Sequence, residues 1–175
     1  MVNHFEVFSL PISLKVDHSA LKKKFYVLSR TYHPDHFTLE SQDKQDEALA
    51  MTGAINLAYK VLADDMSRIK HILELNDIMI DEGKQMLTPD FLMEMMEFNE
   101  QIDDAKTKND QSSLVKLNQN LLEMKSDLDQ VYERYSDDFD NQRNTNIALE
   151  KIKDYYFKSK YLLRIQENLG TFAHS

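Results

Sequence analysis

Thr31-Tyr32-His33-Pro34-Asp35-His36-Phe37 decides how this chain is read, because one amphipathic helix must stop there before another begins. A residue ahead of proline is pushed out of the helical region, so a helix stop is predicted at His33. Pro34 fixes its own φ and offers no N–H, and Asp35 can hold a turn through its side-chain oxygens. The expectation is an exposed imidazole and a carboxylate on a stiff loop between two helices.

Upstream, Phe5, Val7, Phe8 and Leu10 form a short apolar start closed by Pro11. Asp17 reads as an N-cap, its carboxylate accepting from the first free helical N–H groups. Leu21, Phe25, Leu28 and Tyr32 then fall at spacings of four, three and four, which is one apolar stripe. Lys22, Lys23, Lys24 and Arg30 occupy the other faces. Over residues 15–37 the bases at 15, 22, 23, 24 and 30 outweigh the acids at 17 and 35. Downstream, after a polar gap over residues 38–43, Ala48, Met51, Ile55, Ala58 and Leu62 repeat at three, four, three and four. Two such helices joined by a short turn pack as an antiparallel hairpin with the loop at its tip. Met66, Ile69 and Leu73 extend the second pattern to about Leu75.

Residues 76–87 lose the period and contain Gly83, which predicts a linker between one unit over 1–75 and another over 88–175. Thr88-Pro89-Asp90 restarts helix, with a cap at Thr88, proline at the first helical position and an acid in the first turn. At 100° per residue Phe91, Met95, Phe98 and Ile102 lie within about 60° of one another and form the expected core face. The opposite side holds Met93, Met96, Glu97, Glu100 and Asp104. Residues 88–104 carry six acids and no base. Met95 already serves the core, so Met93 and Met96 are expected in solvent, ringed by carboxylates. Flexible thioethers with a polar rim make a partner surface. Leu114, Leu117, Leu121, Met124, Leu128, Val131 and Tyr135 then alternate three and four, a seam suited to shallow packing against neighbouring helices. Its length would allow weak homo-oligomerisation, but apolar helices on either side favour a three-helix bundle within the chain. A last helix over about 140–169 supplies Leu149, Ile152, Tyr156 and Leu163, with Gly170 as its stop. Tyr155, Tyr156, Phe157 and Tyr161 cannot all face one core.

The 175 residues include three glycines, three prolines and no cysteine, and the net charge is −9. Few turn formers and many helix formers predict an all-α protein. Disulfides, thiolate metal sites and thiol catalysis are excluded, and a reducing cytoplasm suits the composition. The acidic balance argues against nucleic-acid binding. No apolar run approaches the roughly 20 residues of a membrane span. An enzyme would have to use His33, Asp35 and His36, but no second cluster of ligands or bases and no phosphate-cradling glycine loop accompanies them. A recognition handle fits these residues better than catalysis does.

His33-Pro34-Asp35 resembles the HPD tripeptide of J domains. A basic helix precedes it, and Ile55-Asn56-Leu57-Ala58-Tyr59-Lys60-Val61-Leu62 resembles the run of the helix that follows in that family. With Arg68, His71-Ile72-Leu73-Glu74-Leu75, Phe91-Leu92-Met93-Glu94 and the acidic helix, nearly the whole chain resembles the HscB-type J-protein co-chaperones of iron–sulfur cluster assembly. The resemblance implies an N-terminal J domain and a C-terminal three-helix bundle. It implies that His33, Pro34 and Asp35, with Lys22, Lys23, Lys24 and Arg30, dock on a DnaK-type ATPase chaperone of the HscA kind. It further implies that Leu92, Met93, Met96, Glu97, Glu100 and Asp104 hold the iron–sulfur scaffold protein. Met96 stands where leucine is common in the family, and Asp104 where glutamate is. The aromatic contact on the last helix is best matched by Phe157, with Tyr156 as the rival. Some eukaryotic relatives carry a cysteine metal module; its absence implies no zinc, no cluster and no cofactor on this chain. The alternative is a J-domain co-chaperone with a different client, the bundle acting as another adaptor.

Overall fold

The computed structural model describes residues 2–78 and 87–170. Seven α-helices and one 3-10 turn account for its regular structure: α1 (His4–Val7), α2 (His18–Thr31), the turn (Pro34–Phe37), α3 (Gln42–Ala63), α4 (Asp65–Leu75), α5 (Pro89–Thr107), α6 (Gln111–Asp140) and α7 (Thr145–Gly170). The class is all-α, as composition predicts. The chain divides into two compact units, residues 1–80 and 81–175. Most of the linker expected over 76–87, Gly83 included, lies outside the described residues.

In the first unit α2 and α3 form the expected hairpin. Asp17 caps α2, accepting from the N–H groups of Ala20 and Ser19, and these bonds hold its carboxyl below the ordinary aspartate range. Leu21 is fully buried, Phe25 stacks on Tyr59 of α3 with centroids 4.3 Å apart, and Thr52 Oγ1 donates to the Tyr32 carbonyl at 2.8 Å. Ala48, Ile55, Ala58 and Leu62 are buried and Met51 half-buried, so the stripe read along α3 is its core face.

The second helix does not run unbroken to Leu75. Asp64 is extended (φ −97°, ψ 123°), ends α3 and caps α4 by accepting from Ser67 N–H at 2.8 Å. The step of four from Leu62 to Met66 hides this break from a periodicity reading. Arg68, buried within α4, secures the corner. Its Nε donates to the Leu14 carbonyl at 3.0 Å, its Nη1 to the Leu62 carbonyl at 2.6 Å, and its Nη2 to the Asp65 carboxylate.

The apolar start forms α1, and Phe5 within it and Phe8 at its end are buried. His71 of α4 holds it, Nε2 accepting from the His4 backbone N–H at 3.1 Å with the two rings 4.5 Å apart. An imidazole nitrogen accepts only when unprotonated. Burial, and secondarily the nearby His4, lower the His71 pKa from 6.5 to about 4. The neutral form is therefore favoured in the fold, and its stability contribution is full above pH 6.5 and lost as pH falls towards 4. Thermal melts should lose about 3 kcal/mol of stability across that window at most. His71→Gln, whose amide oxygen can still accept, should flatten the slope; an equally steep slope in that variant would contradict the assignment.

In the second unit Thr88 caps α5, accepting from Phe91 N–H at 3.4 Å, with Pro89 in the first turn as its spacing predicts. Met95, Phe98, Ile102 and Ala105 of α5 pack with Leu114, Leu117 and Leu121 of α6 and with Leu162, Ile165 and Leu169 of α7. Lys106 Nζ ties α5 to α7 through the backbone and side-chain oxygens of Asn168, at 2.8 and 2.7 Å. Three expectations fail in the later parts of the two long helices. Val131 is 43% exposed, and the buried face of α6 continues through Ser136 and Phe139. Seven residues turn an α-helix about 20° short of two full turns, so a strict heptad seam walks off a fixed buried face. Leu163 is 52% exposed while Leu162 takes the core position. Gly170 is the last residue of α7, but it is helical and has no positive φ.

Candidate functional site

Each unit carries one surface built from residues that its core does not use. On the first, α2 closes with the Tyr32 N–H donating to the Leu28 carbonyl at 2.9 Å. His33 is extended (φ −62°, ψ 129°), as Pro34 requires. The loop is not irregular: Pro34–Phe37 makes one 3-10 turn, capped by His33 itself. Its Nδ1 accepts from Asp35 N–H at 3.3 Å, and its carbonyl from His36 N–H at 3.0 Å. Thr38 Oγ1 donates to the Asp35 carbonyl at 3.2 Å. The His33 and Asp35 side chains are 55% and 82% exposed, with Nδ1 and Oδ2 3.6 Å apart. With Nδ1 accepting, the neutral ring carries its proton on Nε2, which is then the ring's donor. His36 is exposed, its ring 6.1 Å from that of His33.

Lys22, Lys23 and Arg30 are exposed along α2. Lys24 is placed differently. Its Nζ donates to the carbonyls of Phe8 and Ser9 at 2.7 and 3.1 Å and so anchors the N-terminal segment.

On the second unit, Met93 and Met96 are 58% and 61% exposed while Met95 between them is fully buried. Leu92 is half-exposed, and Glu97, Glu100 and Asp104 are exposed. Asp104 also pairs with Lys108 at 3.1 Å, one turn on. The aromatic residues of α7 divide as their number demands. Tyr156 is buried, and Phe157 stays half-exposed, its ring perpendicular to Tyr156 at 5.4 Å. Tyr155 stacks on Tyr132 of α6 and donates its hydroxyl to Asp129 at 3.0 Å. Tyr161 meets Phe91 of α5 edge-on at 5.9 Å, and Lys158 Nζ lies 5.3 Å over the same Phe91 ring while pairing with Asp154 at 2.8 Å. Phe91 therefore joins the start of α5 to the stretch of α7 that carries Phe157. The helical spacing assigns Phe91 to the core face and gives Tyr161 and Lys158 no part; the crowding of aromatics on α7 is the signal in the sequence that points to them.

Among the described residues no group of histidines and carboxylates has the arrangement of a metal site. No described helix is long and apolar enough to cross a membrane.

Residues 87–170 match the family described as the HSCB C-terminal oligomerisation domain. A co-chaperone protein HscB homolog of Pseudoalteromonas atlantica is 33% identical over 173 residues, which is 95% of this chain and 97% of that protein. Its counterpart in Vibrio campbellii is 30% identical over 169 residues, 96% of this chain and 95% of that one. This chain belongs to the HscB co-chaperone family. The fold agrees: chaperone HscB from Vibrio cholerae superposes with a TM-score of 0.77 at 26% identity, over 98% of both chains. Human co-chaperone HscB shares the same fold, with a TM-score of 0.76.

Membership in the HscB family places the two units as a J domain followed by a C-terminal helical bundle. It also gives the family-like residues Arg68 and His71 a physical meaning. Both are buried in α4 and hold the J domain's corner and its first helix, so neither is presented to a partner.

Proposed function

We propose that this HscB-family chain stimulates ATP hydrolysis by a DnaK-type chaperone of the HscA kind and delivers the iron–sulfur scaffold protein to it in the cytoplasm. The observation that carries the reading is a pair of exposed methionines on an acidic helix, in a unit separate from the one that bears the HPD turn. One chain thus has two partner surfaces with different chemistry, which is what a delivery protein needs.

The J-domain surface is formed by His33, Pro34 and Asp35 with Lys22, Lys23 and Arg30. It is cationic, so encounter with an acidic ATPase surface is fast and sensitive to salt. Lys24 contributes charge to that field while its ammonium stays bonded within the domain. The bundle surface is formed by Leu92, Met93, Met96 and Phe157, rimmed by Glu97, Glu100 and Asp104. A small apolar centre with a charged rim is the anatomy of a modest-affinity interface. Tyr156 is committed to the core, so of the two rivals Phe157 is the one able to reach a client. The scaffold is held, not chemically changed, and the hydrolysis occurs on the partner chaperone.

The test is a calorimetric titration of this chain into the iron–sulfur scaffold protein of its own organism. Saturable binding is expected. No heat at concentrations up to the millimolar range, where only about 4 kcal/mol of binding would go unseen, would leave a J-domain co-chaperone with a different client.

A further inference from the structure

We propose that Tyr26 and Val27 form the apolar centre of the surface by which α2 engages the ATPase chaperone, so that docking there relies on desolvated contact as well as on charge. The inference rests on the chaperone reading above and names two contact residues and the kind of surface they require.

Tyr26 and Val27 are 60% and 64% exposed, side by side on a helix whose inward stripe is already supplied by Leu21, Phe25 and Leu28. Residues 22, 23, 26, 27 and 30 are linked by steps of three and four and occupy one face of about 140°. That face holds Lys22, Lys23 and Arg30, all exposed. Lys22 Nζ lies 5.9 Å over the Tyr26 ring, and Thr31 Oγ1 donates to the Val27 carbonyl at 2.9 Å. One turn beyond Arg30 stands His33. The apolar pair is thus continuous with the HPD turn and enclosed by three cations. Lys24, the remaining lysine of the run, faces the other way and is bonded to Phe8 and Ser9.

Cations alone would be met by any acidic patch. Two large apolar side chains among them are matched by a recess with an apolar floor and a carboxylate rim, which narrows the partners this helix accepts. The two contributions separate with salt. Screening shortens the reach of exposed charges from about 8 Å at physiological ionic strength to about 3 Å at 1 M, whereas apolar contact persists.

The experiment uses the full chain carrying Tyr26→Gln and Val27→Gln, assayed by ATP hydrolysis of the purified partner chaperone against co-chaperone concentration, at low salt and at about 0.5 M salt. Glutamine is a better helix former than either residue, and circular dichroism verifies that α2 is retained. The concentration for half-maximal stimulation should rise about tenfold, with the plateau unchanged. At high salt the wild type should keep measurable stimulation that the double variant loses. An unchanged half-maximal concentration at both salts, with the wild type active, overturns the proposal. So does a lowered plateau at an unchanged half-maximal concentration, which would put the pair in the activating step and not in docking. A wild type that stimulates nothing removes the chaperone reading itself.

Discussion

A chain carrying His33→Gln is expected to keep its fold and to lose stimulation of the partner ATPase by about 100-fold or more, the scale of a central interface residue. The fold should survive because His33 is exposed and its ring makes one bond within the domain, the cap on Asp35 N–H. Loss of such a cap costs about 1 kcal/mol, well inside the margin of a folded domain. Activity should not survive, because the cap holds the ring beside the Asp35 carboxylate, Nδ1 and Oδ2 being 3.6 Å apart, and leaves Nε2–H as the ring's donor. Glutamine has an amide at similar reach but adds a rotatable bond and has no rigid ring to aim it, so the donor is no longer preorganised. The paired measurements are melting temperature and single-turnover ATP hydrolysis by the chaperone. A variant that is fully active, or one that is unfolded, would refute the account of His33 as an exposed, positioned donor.

Local rules were legible wherever a single residue and its near neighbours decide the outcome. Asp17 and Thr88 cap the helices their side chains suggest, and Pro34 stops α2 where its ring forbids helix. Met93 and Met96 lie outside for the reason a helical wheel gives. Illegible were the features set by distant partners. Nothing near Lys24 in sequence distinguishes it from Lys22 and Lys23; the carbonyls that hold it lie 15 and 16 residues upstream. Arg68 and His71 read as polar, yet both are buried, because backbone groups of Leu14, Leu62 and His4 come to them in the fold. The break at Asp64 is concealed because a capped corner and an unbroken helix can share one apolar spacing. Val131 misses the core because a strict heptad seam drifts off a fixed buried face, and Leu163 because the buried face of α7 changes neighbours, Leu162, Ile165 and Leu169 turning to the cluster shared with α5 and α6. Sequence thus reports a helix face well as long as one set of neighbours covers it.

Met93→Ala combined with Met96→Ala is expected to weaken scaffold binding by about 1 to 4 kcal/mol, or roughly five- to a thousandfold in Kd. Burying one methionine side chain fully is worth about 1.5–3 kcal/mol, and alanine gives up most of that. Two exposed methionines at the centre of the patch set the upper range; incomplete burial by the partner sets the lower. The substitution should leave the bundle intact, because Met95, not its neighbours, fills the core, and alanine favours helix. Stimulation of the chaperone in the absence of scaffold should be unchanged, since the HPD turn lies in the other unit. The expected result is therefore a split: calorimetric affinity falls while basal co-chaperone activity stays. Salt adds a second axis. The carboxylates of Glu97 and Glu100 remain in the double variant, so its residual binding should be more salt-sensitive than that of the wild type. If both activities fell together while the melting temperature held, the two surfaces could not be independent, and delivery would have to be described as a single composite contact.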